Sequence, residues 1–320
     1  MNAERSSVCA ALKRVGLTVD DIVEVGGSVL EAGRPYLVGS LAQGFGNRGS
    51  DVDVHLFVPE LERAAPPFLC FVGDVPVDIE HFPAGVHLEV LGGLDADVVD
   101  TPAGAISTGR RLERRTRTRL IRWTTALPLF GETPLFDEAQ HGLIRPHLLR
   151  FALTRLVGAA AVAELVGLAG LDAGHAWRLC GRGLLDLACT VRGWPPIGDK
   201  WLPSRIRAAG LEPALVGAAG EVRSVERLVR EVALLGVPAV DPLRATVIRN
   251  DPGAEVQRIG RQRFIRTRHG RIVEREPITD GSFAEVVGAV EPLELVELLR
   301  AGVVRVEVDD VLLSEELVSR

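Results

Sequence analysis

The chain has 320 residues, a formal net charge of −6 and a pI near 5.7. That length suits two or three domains with a sizeable core, and the acidity argues against generalised coating of nucleic acid while leaving room for local basic patches. Cys9, Cys70, Cys180 and Cys189 are scattered without a disulfide framework and read as reduced core thiols, the N-terminal residues lack a signal pattern, and no charge-free apolar run approaches the ~18 residues of a membrane span, so a cytoplasmic location without membrane attachment is expected.

The first predicted element is a helix over 3–15, where Val8, Ala11, Leu12 and Val15 recur at helical spacing and should pack on a sheet. A strand at Tyr36–Val38 then runs into Gly39-Ser40. Gly39 lets the backbone approach a phosphate closely, and Ser40 opens a short helix whose free N–H groups and hydroxyl suit an anion. Ten residues separate Ser40 from Asp51. Within them Asn47 and Arg48 are candidates to assist at a phosphate, although residues beside a glycine also serve as plain turn chemistry. In Asp51-Val52-Asp53 the strand period of two sets both carboxylates on one face, and adjacent oxygen donors suit a hard divalent cation.

Strands are expected over 52–58, 68–72, 75–82 and 86–91, giving a small mixed sheet with helices on one side. In the third of these, Asp78 and Glu80 share one face while Val77 and Ile79 share the other. His55 lies on the face of Asp51 and Asp53 and reads as a packed, hydrogen-bonded neighbour. With no His-x-x-x-His or Cys-x-x-Cys pair, zinc is not expected.

Gly39-Ser40, the ten-residue spacer and an Asp51-x-Asp53 pair closing a strand resemble the signature of the DNA polymerase β-like nucleotidyltransferase superfamily. The likeness covers about the first hundred residues and is strongest to the bacterial antibiotic (aminoglycoside-type) and minimal nucleotidyltransferases. It implies an α/β (α+β) fold with a small mixed-sheet catalytic domain over 1–107, and transfer of a nucleoside monophosphate, AMP from ATP in the first place, to a hydroxyl with release of pyrophosphate. Such chemistry uses two Mg2+ ions to neutralise charge on the attacking and departing oxygens. The resemblance assigns metal binding to Asp51, Asp53 and a third acid that also accepts the hydroxyl proton; Asp78 comes first and Glu80 is the alternative. Gly39, Ser40 and nearby amides would hold the triphosphate. The antibiotic-type likeness implies a small-molecule acceptor. A protein side chain or the 3′ end of a tRNA is the alternative acceptor, and a degenerate nucleotide-binding protein with a partner-binding C-terminal module is the non-catalytic alternative.

From about Thr108 the pattern changes to long helices, read as a helical second domain over 108–246. Its first helix carries Arg110, Arg111, Arg114, Arg115, Arg117, Arg119 and Arg122; the stripe of Arg111, Arg115, Arg119 and Arg122 reads as a solvated face paired with Glu113 and neighbouring acids in preference to a phosphate site. Helices over 146–168 and 173–192 are apolar enough for bundle core, and Arg182 and Asp186 have the spacing of an intrahelical ion pair. In the aromatic loop Gly193–Leu202, Lys200 is one of only two lysines. It resembles a basic residue that reaches the triphosphate in antibiotic-type nucleotidyltransferases, with a local role beside Trp201 as the competing reading.

Residues 247–320 read as a small winged-helix-like α+β module. A hairpin joins Arg263–Thr267 to Arg271–Arg275, Ser282 caps a helix, Pro292 starts another that Gly302 ends, and a strand covers 303–308. The hairpin arginines (Arg258, Arg261, Arg263, Arg266, Arg268 and Arg271) suit nucleic acid, a peptide or the acceptor, and a dimerisation or lid element with a solvated arginine face is weighed slightly ahead of that.

Overall fold

The computed structural model describes residues 7–63, 65–259 and 262–319. Residues 3–6 of the first expected helix, and Arg261 of the basic hairpin, lie outside the described residues. The chain opens with α1 (Val8–Leu12), a 3-10 turn at Lys13–Val15, α2 (Val19–Gly26) and α3 (Ser28–Glu31). Next come β1 (Arg34–Val38), α4 (Gly39–Ala42), β2 (Val52–Val58), β3 (Ala65–Val72), β4 (Val75–Pro83) and α5 (Val86–Gly92). Two short strands, β5 (Val98–Val99) and β6 (Ile106–Ser107), precede α6 (Arg114–Trp123), β7 (Leu127–Pro128), α7 (Glu138–Leu168) and α8 (Gly174–Val191). A 3-10 turn at Asp199–Trp201 leads to α9 (Leu202–Ala208), α10 (Pro213–Gly220) and α11 (Val225–Leu234). The chain then forms β8 (Thr246–Asn250), β9 (Glu255–Ile259), β10 (Gln262–Arg266), β11 (Ile272–Glu274) and β12 (Gly281–Ser282). It ends in α12 (Phe283–Ala289), α13 (Pro292–Ala301), β13 (Val304–Val308) and α14 (Asp310–Val318). The protein is thus a mixed α+β chain.

One compact unit comprises Met1–Ala96, Leu112–Leu148 and Gly193–Ala209; the other comprises Asp97–Arg111, Leu149–Arg192 and Gly210–Arg320. Neither coincides with the boundaries expected at 107/108 and 246/247. The first unit holds a five-stranded mixed sheet in the order β3-β4-β2-β1-β7, with β2 and β4 parallel and the remaining pairs antiparallel. Alternation decides its two faces. Leu37, Val52, Val54, Leu56, Val77 and Ile79 join Ala11, Leu12, Ile22 and Leu30 of the N-terminal helices in one apolar core.

The opposite face carries Asp53, His55 and Phe57 of β2 beside Asp78, Glu80 and Phe82 of β4. It is covered too, against the expectation of helices on one side only. Buried Trp123 of α6 meets Phe57 and Phe82 edge-on, with ring centroids 5.5 and 5.6 Å away. The strand expected at 86–91 is instead α5. His87 and Leu91, four residues apart, point the same way, with His87 against Phe57 and Phe136 and Leu91 buried. A short apolar run fits either period until its neighbours choose.

α7 starts at Glu138 and runs through Pro146, where a start was expected. Asp137 and Gln140 bond each other's backbone amides at 2.8 and 2.9 Å, which sets the earlier start. By length and composition α7 is the one described helix apolar enough to cross a membrane, and its Leu153, Leu156, Val157, Ala160 and Ala161 are buried in the protein. Asp186 of α8 pairs with Arg155 of α7 at 3.5 Å. The intrahelical pair expected with Arg182 is not formed among the described residues, because the Asp186 side chain faces α7. Cys180 and Cys189 are buried and Cys70 half-buried, but Cys9 is exposed and is no core thiol.

In the second unit, Ala161 and Leu165 of α7 share a core with Ile248, Ile265, Phe283, Val286, Leu295 and Val304. The hairpin is present as β10 and β11 within the three-stranded sheet β11-β10-β9, and a second sheet runs β12-β8-β13. Ser282 and Glu285 form a reciprocal capping box, and Gly302 closes α13 with φ +76°. Helix α14, capped by Asp309, was not anticipated.

Candidate active site

Strand register brings the sequence motifs together. Val38 pairs with Asp53 across β1 and β2, and Asp53 pairs with Asp78 across β2 and β4. Two carboxylates therefore stand side by side at the point where β1 turns into Gly39-Ser40. Gly39 has φ +72°, and a Cβ there would overlap the Oδ2 atom of Asp53. Its bare backbone thus makes room for the carboxylate itself. Asp51 is exposed and leads into β2, so the Asp-x-Asp pair opens a strand and does not close one.

Charge crowding marks these acids. Burial pushes the Asp53 carboxyl up to about 6, with Asp51, Asp78 and Glu80 adding to the rise and Arg122 opposing it. Asp78 is also raised, by burial first and then by Glu80, and its buried Oδ1 has no hydrogen-bond partner among the described residues. Glu80 behaves differently. It accepts a hydrogen bond from Arg122 Nη1 at 3.1 Å and lies 3.7 Å from His55 Nε2, and the His55 ring holds its carboxyl low. The two candidates for the third acid therefore occupy distinct settings, Asp78 beside Asp53 and Glu80 hydrogen-bonded to Arg122.

α6 supplies what the sequence reading undervalued. Arg122 turns into the site, with Nη2 3.6 Å from Asp53 Oδ1, so this arginine does not belong to a solvated face. Trp123 Nε1 donates to His55 Nδ1 at 2.7 Å. Because an indole only donates, Nδ1 carries no proton, and the neutral ring favoured by burial bears its hydrogen on Nε2, toward Glu80. His55 is thus the packed, hydrogen-bonded neighbour that was expected.

The spacer folds back on itself. The Ser40 carbonyl accepts from the amides of Phe45 and Gly46 at 2.9 and 3.1 Å, while its hydroxyl makes no hydrogen bond among the described residues. Asn47 accepts from the Gly49 amide at 3.0 Å and from the Ser50 hydroxyl at 3.4 Å, so its side chain serves the turn. Arg48 is exposed. Gln43, which no motif singled out, is buried with both amide atoms unpartnered among the described residues. Phe45 packs on Trp194 at 5.4 Å, tying the aromatic loop to the spacer. Lys200 is exposed with Nζ 5.2 Å from the Trp201 ring and has no carboxylate within 4 Å among the described residues. In the second unit Arg263 pairs with Glu276 and Arg275 with Glu294, so part of the basic hairpin region is neutralised internally.

Among the described residues no group of three or more His, Cys, Asp or Glu side chains is gathered as a cation would hold them; the guanidinium of Arg122 stands against Asp53 instead. The donor chemistry nonetheless fits a hard divalent ion. Asp53 and Asp78 offer carboxylate oxygens from adjacent strands, one of those oxygens is buried without a partner among the described residues, and burial together with neighbouring carboxylates raises both groups in a way that a cation would relieve. No protein-family model matches the chain, and no curated protein matches it either.

Proposed function

We propose that the protein is a magnesium-dependent cytoplasmic nucleotidyltransferase that moves a nucleoside monophosphate, AMP from ATP in the first instance, to a hydroxyl of a small molecule. The observation that carries this reading is the pairing of Asp53 with Asp78 directly under the glycine of Gly39-Ser40. That arrangement suits a triphosphate whose tail meets the Ser40 hydroxyl and nearby amides while its α-phosphate lies at the carboxylates. Bound by Asp51, Asp53 and Asp78, Mg2+ supplies charge neutralisation on the reacting oxygens. Asp78 takes the proton of the acceptor hydroxyl, the freed oxygen forms a bond to the α-phosphorus, and the bond from that phosphorus to the bridging oxygen breaks. Pyrophosphate leaves with the electron pair. Arg122 holds Asp53 and Glu80 in place, and Lys200 is assigned to the triphosphate side by resemblance alone.

Calorimetry with each of the four ribonucleoside triphosphates, with and without Mg2+, tests the reading. The native chain should bind one of them in a metal-dependent manner, and Asp53→Asn should lose at least about tenfold in affinity. A chain that binds no triphosphate, or whose affinity is untouched by Asp53→Asn, is not this enzyme.

A further inference from the structure

We propose that the acceptor is a small phosphomonoester, held by an arginine-lined cavity beside the paired acids; this rests on the nucleotidyl-transfer reading above. The cavity, of about 590 Å³, is lined by Arg114, Arg115, Arg119 and Arg122 of α6 together with Glu80 and Phe82 of β4. That volume accommodates a molecule of sugar-phosphate size. Arg115, Arg119 and Arg122 recur at i, i+4 and i+7, so one helical face presents all three. Arg122 is committed to Asp53 and Glu80. The others are not: among the described residues Arg114, Arg115 and Arg119 have no carboxylate within 4 Å. Arg119 lies over the Phe82 ring at 4.9 Å, where the aromatic surface orients the guanidinium without cancelling its charge.

Three guanidiniums without a close carboxylate among the described residues surround one concavity and favour an anion between them; Arg115 and Arg119 repel each other, and the more distant Glu80 offsets only part of the Arg119 charge. Glu80 is the cavity's one acidic lining residue and already has Arg122. Arginine forks match the oxygens of a phosphate, which carries about two negative charges near neutral pH. The first turn of α6 adds N–H groups that no side chain caps. A polycationic acceptor of the aminoglycoside kind would meet repulsion here.

Position assigns the cavity to the acceptor. Along the sheet face the order is Gly39-Ser40, then Asp53 beside Asp78, then His55 beside Glu80, then Phe57 beside Phe82. The acids thus separate the Gly39-Ser40 turn from the arginines. A triphosphate held at that turn leaves the far side of the acids for the molecule whose hydroxyl attacks.

The test is calorimetric, on the full chain with Mg2+ and saturating α,β-methylene-ATP, using glycerol 3-phosphate as probe and glycerol as control. The native chain should bind the phosphate ester and not glycerol, and Arg115→Ala with Arg119→Ala should weaken the ester about tenfold or more while analogue binding stays within about twofold. Arg115→Gln, at an exposed position, serves if the double variant fails to fold. Ester binding unchanged in the variants, no ester binding to the native chain up to about 10 mM, or loss of the analogue in place of the ester overturns the proposal. If the native chain binds the ester but no triphosphate, the transfer reading falls and the acceptor role with it, although the cavity is then an anion site.

Discussion

Asp53 shows how one residue comes to depend on its neighbours. Its carboxyl is raised from an ordinary value near 4 to about 6, so between those values the folded chain holds a proton that the unfolded chain has released. Stability of the metal-free protein should therefore fall as pH rises from 4 to above 6, by on the order of 2 kcal/mol from this group, and Asp53→Asn should flatten that slope in urea titrations at pH 4.5 and 7. An unchanged slope would show that Asp53 ionises freely. Gly39→Ala should destabilise by roughly 1–3 kcal/mol, since the new methyl meets Asp53 and the backbone keeps a positive φ. Denaturant midpoints check this, and a wild-type midpoint would remove the argument for close approach. At this scale the acids were legible because a strand's period of two fixes which side chains share a face. Arg122 was not: a helical stripe of arginines has the same spacing whether it meets water or a carboxylate sixty-nine positions earlier, as Asp53 is.

Among elements, α6 connects the core to the chemistry. Its Trp123 fills the aromatic cluster and orients His55 through the indole N–H. Trp123→Phe keeps most of the packing but leaves His55 Nδ1 without its donor, and should cost about 1–3 kcal/mol in unfolding free energy. It should also shift the imidazole resonances in NMR, a change that loss of packing elsewhere would not give. β1, β2 and β4 were readable from alternation, and the helix ends at Ser282 and Gly302 from their capping chemistry. α5 was misread because Val86–Leu91 is short and apolar at either period, and the start of α7 was missed because Pro146 outweighed the Asp137-Gln140 signal.

At the scale of the molecule, the C-terminal segment does not keep its core to itself. Ile248, Ile265, Phe283 and Leu295 bury surface with Ala161 and Leu165 of α7, so a chain ending at residue 246 should expose those α7 residues. Limited proteolysis should then cut within 161–168, whereas full protection there would mean that the segment folds apart. Such long-range pairing is hard to read from a sequence, because each apolar stripe declares that it needs a partner without naming it. The six stretches that make up the two units alternate along the chain, which passes from one unit to the other five times. No single recombination point can therefore deliver either unit intact to another gene, and this chain is expected to be inherited as one indivisible block, not assembled by exchange of modules.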